Sequence, residues 1–164
     1  MYSFWSSIDA ASIDQITDKI YLGNESGAYN KKMLQDRGIT HILVCGNYLQ
    51  KKFPNDFTYL QLPLNDFVSQ DLFPYFHEAF EFIDKAEKVY VHCAAGVSRS
   101  SSMVIGYLMY TKGWKYLEAY EYVKKRRSII CPNPGFSSQL KKLEGLIQKG
   151  ETDLKKYTKA HSMY

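Results

Sequence analysis

Val89-Tyr90-Val91-His92-Cys93-Ala94-Ala95-Gly96-Val97-Ser98-Arg99-Ser100 is the stretch from which the fold of this chain is read. Its first three residues are β-branched and aromatic, as in a buried strand, and from Ser101 to Tyr110 apolar residues recur at helical spacing. The residues between form a loop from a strand to a helix N-terminus. Unpaired backbone N–H groups and the positive end of the helix dipole favour an anion at such a place, and Gly96 lets the backbone curl around one. Cys93 stands in the same field, and helix N-termini and nearby cations favour the thiolate, the nucleophilic form of cysteine. Arg99 adds a planar fork of donors able to hold two phosphoryl oxygens, which lysine does poorly. Ser100 puts a hydroxyl beside the sulfur. A buried structural cysteine next to a surface arginine would account for either residue alone, but not for His92, Gly96, Arg99 and Ser100 at these offsets.

Working outward, short β runs alternate with helical ones, which predicts an α/β fold with a central, mostly parallel twisted sheet flanked by helices, in one domain. Lys19–Leu22, Thr40–Cys45, Thr58–Leu62 and Val89–His92 read as strands. Asn30 caps a helix over 31–37 that Gly38 closes. Asp71 looks like the cap of the next helix, which carries Phe76, Ala79, Phe80, Phe82 and Ile83 on its buried side. Further helices are expected over 100–112, stopped by Gly113, then 116–127 and 137–148. The domain is placed at 12–150, with 1–11 and 151–164 as extensions. The polar or irregular ends, Met1–Ser7 and about Gly150–Tyr164, are expected to be loose.

The 164 residues suit one domain with a real core. A hydrophobic content of 45% without a long uncharged apolar run excludes membrane insertion from the expectations. Met1–Asp9 lacks the features of a secretory signal, and three cysteines, an odd number, are consistent with free thiols, so a cytoplasmic setting is expected, with a nuclear one also open. A net charge of +4 suits a protein that meets phosphorylated partners, but it is too small to argue for nucleic acid without a concentrated patch, and no nucleic-acid partner is expected. A monomer is expected.

The pattern His-Cys-x-x-Gly-x-x-Arg-Ser over 92–100 resembles the signature loop of the cysteine-based protein phosphatases, and the flanking sequence is similar to their dual-specificity branch. The similarity runs from Ile16-Thr17-Asp18-Lys19-Ile20-Tyr21-Leu22-Gly23 through Gly38-Ile39-Thr40-His41-Ile42-Leu43 to Pro132-Asn133-Pro134-Gly135-Phe136 with Gln139-Leu140. The resemblance implies hydrolysis of phosphotyrosine and of phosphoserine or phosphothreonine through a phosphocysteine, without metal or cofactor. Cys93 would be the nucleophile, and Ala94, Ala95, Gly96, Val97, Ser98 and Arg99 would hold the phosphate. Ser100 would stabilise the departing sulfur, and His92 would tune the thiol indirectly. Asp66, directly after a predicted strand, matches the family's general acid. The interval from it to Cys93 is slightly shorter than in the family, the difference falling near Ala86–Lys88. Asp71 is the rival, but a carboxylate engaged in capping is the poorer acid. Asn133 resembles an asparagine whose side chain braces the phosphate loop.

The remaining features divide between structure and function. The cluster Lys124-Lys125-Arg126-Arg127 suits a helix C-terminus, with Arg127 a candidate to face the pocket and the cluster weak as a nuclear-import signal. Cys45 ends a predicted strand, and parallel strands bring their C-terminal ends toward the loop. It reads as a core cysteine or as a thiol able to trap oxidised Cys93 in a disulfide. Cys131 reads as a structural residue at a strand end. Because Ala94, Ala95, Val97 and Ser98 add no charge, phosphorylated proteins are favoured over phosphoinositides or RNA 5′-phosphates as partners. The length leaves no room for a kinase-docking domain, as in small atypical members of the branch. A silent phospho-binding module is the alternative from a different class.

Overall fold

The computed structural model describes residues 10–158. Five strands form one sheet in the order β1-β2-β5-β3-β4: β1 (Ile13–Gln15), β2 (Ile20–Gly23), β3 (His41–Cys45), β4 (Thr58–Leu62) and β5 (Val89–His92). β2, β5, β3 and β4 run parallel, and β1 lies antiparallel on the edge of β2. The register pairs Ile20 and His41 with Val89, so the three inner strands end together and deliver their following loops to one edge of the sheet. That edge carries the loop over 93–98, where strand order in open α/β sheets favours a ligand site.

The helices are α1 (Glu25–Ala28), α2 (Lys31–Asp36), α3 (Phe73–Lys85), α4 (Arg99–Lys112), α5 (Tyr116–Arg126) and α6 (Pro134–Gln148), with a 3-10 turn at Leu154–Tyr157. α4 lies across β2, β5 and β3 and is itself packed by α3, α5 and α6. Every residue from Ser100 to Met109 is buried, which is why its apolar pattern runs nearly all round. Gly113 ends it in the left-handed conformation at φ 70°. No helix among the described residues is long and apolar enough to cross a membrane.

α3 buries Phe73, Phe76, Ala79, Phe80 and Ile83, three and four residues apart. Phe82, expected on that buried side, is instead only partly buried and meets the His41 ring edge-on at 5.3 Å between centroids. α6 starts at Pro134 rather than 137, because Asn133 Oδ1 accepts from Phe136 N–H and Pro134 preorganises the first turn. The segment after Gly150, expected to be loose, packs on α3 through Leu154 and the Phe73–Tyr157 ring contact at 5.0 Å. The expected looseness of Met1–Ser7 lies outside the described residues.

Candidate active site

Residues 93–98 curl between β5 and α4, and each carbonyl of the curl is held from outside it. Ala94 O accepts from Glu25 N–H at 2.9 Å, at the start of α1. Arg127 donates to Gly96 O through Nε at 2.9 Å and to Ala95 O through Nη2 at 3.2 Å. Val97 O takes Cys131 N–H at 2.8 Å and Ser101 Oγ at 2.6 Å, and Ser98 O takes Ser102 N–H and its hydroxyl. Since no peptide bond among the described residues is cis, each outward carbonyl sets the N–H of the next residue on the opposite side. The amides of Ala95, Gly96, Val97, Ser98 and Arg99 therefore converge inward at the head of α4, a nest for an anion. Gly96 has φ +69°, and a Cβ there would lie 2.5 Å from Gly23 O and 2.7 Å from Arg127 Nη2. Only glycine suits both the dihedral and the space.

Cys93 is 2% exposed at the base of this nest, its Sγ 3.1 Å from Ser100 Oγ. Arg99 begins α4, and its Nη1 donates to Leu64 O at 3.3 Å; Gly46, past the end of β3, lies close enough that a Cβ would fall 2.8 Å from that nitrogen. The guanidinium is thus fixed by the loops after β3 and β4. His92 is fully buried, stacked on Tyr90, with Nδ1 3.1 Å from Cys93 O and Nε2 without a partner. A carbonyl only accepts, so the ring's proton sits on Nδ1. Burial lowers the His92 pKa from 6.5 to about 4, opposed by the Cys93 carbonyl and reinforced by Arg99. The ring is neutral and orients the Cys93 backbone. Tyr90 Oη in turn donates to Asn24 O at 2.6 Å, fixing the turn before α1.

Asp66 sits in the exposed loop after β4, and its Oδ1 accepts from Asn133 Nδ2 at 3.0 Å. This corrects the role expected of Asn133. Its side chain caps α6 and holds Asp66, while its backbone N–H, donating to Ser98 Oγ at 3.0 Å, braces the phosphate loop. Two glutamines with no expected role, Gln70 and the Gln139 of the resemblance, fix the same acid loop. Gln70 Oε1 accepts from Asn65 N–H at 2.9 Å. Gln139, on α6, accepts from Leu72 N–H at 2.6 Å and donates to Gln70 O at 2.8 Å. Gly135 lets Val68 O approach α6 more closely than a Cβ would permit. Asp71 is not the helix cap expected of it: Leu72 holds the N-cap position of α3 without a side-chain cap bond, and Asp71, one residue earlier, accepts from Phe73 N–H at 3.2 Å through Oδ1.

Arg127 does not face the pocket. Its side chain is 1% exposed behind the loop, and beyond the two carbonyls it donates through Nη1 to Ser12 Oγ at 2.7 Å and to Asp14 Oδ2 at 2.9 Å. Its place at the end of the cationic cluster is visible in the sequence, but the partners lie on β1 and just before it, far away in sequence. Cys131 is exposed in an irregular segment, not at a strand end, and contributes its N–H to the loop. Cys45 is fully buried, one position past the Val44–His92 pair of the β3–β5 ladder, and burial, with the neighbouring Cys93, holds its thiol well above the usual range.

A thiol at the floor of an amide nest, beside a hydroxyl and a fixed guanidinium, is an arrangement suited to hold an oxyanion over a cysteine sulfur. The family model of the dual specificity phosphatase catalytic domain matches residues 20–145, and the chain belongs to that family. It is 38% identical over 152 residues to human protein phosphatase Slingshot homolog 2, covering 90% of this chain and 11% of the relative. It is 39% identical over 140 residues to dual specificity protein phosphatase 1B of Arabidopsis thaliana, covering 83% and 84%. Among solved structures, human tyrosine phosphatase-like serine/threonine/tyrosine-interacting protein superposes with a TM-score of 0.79 at 37% identity, covering 83% of this chain and 97% of that one. The chain spans between 11% and 20% of the length of the Slingshot and MAP kinase phosphatase relatives that it matches.

Proposed function

We propose that this chain is a protein phosphatase that hydrolyses phosphotyrosine and phosphoserine or phosphothreonine through a phosphocysteine. The observation that carries this reading is the ring of loop carbonyls tied back by Glu25, Arg127, Cys131, Ser101 and Ser102, which leaves the amides converging over the Cys93 sulfur. In the first step the Cys93 thiolate attacks phosphorus, the ester P–O bond breaks, and Asp66 gives its proton to the departing oxygen. Because Asp66 Oδ1 accepts from Asn133, the transferred proton belongs to Oδ2. Charge gathering on the equatorial oxygens is met by the loop N–H groups and Arg99. In the second step water attacks the phosphocysteine, Asp66 takes the water's proton, and the S–P bond breaks to return thiolate and inorganic phosphate. Ser100, 3.1 Å from Sγ, donates to the sulfur as it departs.

Phosphate release from p-nitrophenyl phosphate by the wild type, abolished in Cys93→Ser, is the test of this reading. A second reading, a phospho-binding module, is favoured by the likeness to a solved protein whose name speaks of interaction. Phosphopeptide binding without turnover by the wild type would select it. The uncharged side chains of Ala94, Ala95, Val97 and Ser98 support a phosphoprotein over phosphoinositides or RNA 5′-phosphates, and a panel of the three classes decides. The three free thiols support a reducing, cytoplasmic setting.

A further inference from the structure

Five large hydrophobic side chains are exposed among the described residues, and four of them, Tyr48, Phe67, Val68 and Ile129, sit on the loops that build the candidate site. Scattered exposed apolar residues are ordinary, but gathered ones mark a binding surface. Tyr48 follows Gly46, which abuts Arg99, and Gln61 Nε2 pins that loop through Gly46 O and Leu49 O, each at 2.8 Å. Phe67 and Val68 directly follow Asp66, and Val68 O lies against Gly135. Ile129 belongs to the segment between Arg127 and Asn133, whose Cys131 N–H holds Val97 O. The Asn133–Asp66 hydrogen bond joins the second and third of these loops. The four side chains are between 52% and 85% exposed on backbone that is fixed.

The charge pattern of these loops is as informative as their hydrophobicity. Across 63–70, 94–98 and 128–133, Asp66 is the only charged side chain. Of the cations beside the third loop, Lys124 donates through Nζ to Ile130 O at 3.0 Å, and Arg127 is engaged behind the phosphate loop with Asp14, Ser12 and two carbonyls. Past Tyr48, Lys52 lies over the Tyr29 and Phe53 rings at 4.9 and 5.9 Å, and Phe53 N–H bonds Tyr59 Oη, taking the chain back along β4; exposed Lys51 precedes it. An acidic residue or second phosphate next to the bound phosphate would be desolvated by these three loops without a cation from them. An apolar neighbour would bury apolar surface of Tyr48, Phe67, Val68 and Ile129 that is exposed to water.

We propose that this rim selects singly phosphorylated polypeptide segments in which the residues flanking the phosphoresidue are apolar or aromatic. This rests on the phosphatase reading above and names the substrate class for the same site. The test uses one phosphotyrosine and one phosphothreonine peptide scaffold, each with leucine or phenylalanine, glutamate, or a second phosphoresidue at the two positions on either side. The apolar set is expected to exceed the acidic and doubly phosphorylated sets by about tenfold in kcat/KM, equivalent to about 1.4 kcal/mol. In Phe67→Lys combined with Ile129→Lys the ratio should shift toward acidic flanks by a similar factor. The same peptides are ranked by Kd on the Cys93→Ser protein, so that flank preference is measured with or without turnover. If p-nitrophenyl phosphate is not hydrolysed but the Kd ranking favours apolar flanks, the phosphatase reading fails and the rim stands. Equal or better use of acidic or doubly phosphorylated peptides overturns the rim, as does an apolar preference untouched by the two lysines.

Discussion

His92 gives the fold a pH dependence whose size follows from its burial. Its ring titrates near about 4 in the folded chain, against 6.5 for the free side chain, because burial penalises the charged form. Between those values the unfolded chain binds about one more proton than the folded one, so stability falls by about 1.4 kcal/mol for each pH unit of acidification. The penalty is absent above pH 6.5, grows through the window and is complete below about pH 4, reaching about 3 kcal/mol. His92→Asn removes the titrating ring and keeps a donor for the Cys93 carbonyl. Carboxylates titrate in the same range in both proteins, so the informative quantity is the difference between them. Urea unfolding at about pH 7.5 and about pH 4 should show the wild type losing about 3 kcal/mol more than the variant, equivalent to about 6–12 °C in Tm. Parallel losses in the two proteins would refute a buried neutral imidazole.

Gln139→Leu releases the Leu72 N–H and Gln70 carbonyl that fix the acid loop. Turnover of an alkyl phosphate, whose departing oxygen needs a proton, should fall about tenfold, and that of p-nitrophenyl phosphate by less than about threefold; equal losses would mean a general structural effect. Activity should decline at both pH extremes, and Asp66→Asn should flatten the basic limb. An unchanged rate and profile with an alkyl phosphate would transfer the acid role to Asp71. Arg127→Met strands the Ala95 and Gly96 carbonyls and the Asp14 carboxylate. Of these only the Gly96 carbonyl bond is buried, and at about 1–3 kcal/mol for a stranded buried group denaturant unfolding should register a loss of about 1–3 kcal/mol, with vanadate inhibition weakened at least tenfold; wild-type vanadate affinity would rule out the brace. Under mild peroxide, Cys93 oxidised to the sulfenic acid is expected to be attacked by the Cys45 thiol, forming the disulfide and releasing water. Burial of Cys45 makes this slow, and non-reducing mass spectrometry that finds oxidised Cys93 without a Cys45–Cys93 peptide excludes it.

What was legible in the sequence was local. Thr58–Leu62 and Val89–His92 have the bounds read from their apolar and β-branched runs, and helix ends at Gly113 and Asn30 follow from their capping chemistry. Gly96 and the residues around Cys93 announce themselves because their chemistry is packed into nine positions. β1 and α1, of three and four residues, went unread, because neither is long enough to express a period. Their order comes from tertiary partners: Ser12 O and Asn24 N–H, and Glu25 N–H and Ala94 O. Asn133 and Arg127 were singled out and misassigned for one reason. Their types are visible in the sequence, but whether a side chain points into a pocket or behind it depends on residues such as Asp66 and Asp14, 67 and 113 positions away.

β1 also bears on where the catalytic unit can be cut. A polypeptide beginning at residue 20, where the family match begins, would keep the thiol, the acid, the hydroxyl and the guanidinium of Arg99. It would lack Ser12 and Asp14, and Arg127 would be left as a buried cation facing only carbonyl dipoles. Such a fragment would carry a full set of reacting groups on a loosened cradle. A low turnover measured on it would report the missing edge strand and not the reacting groups.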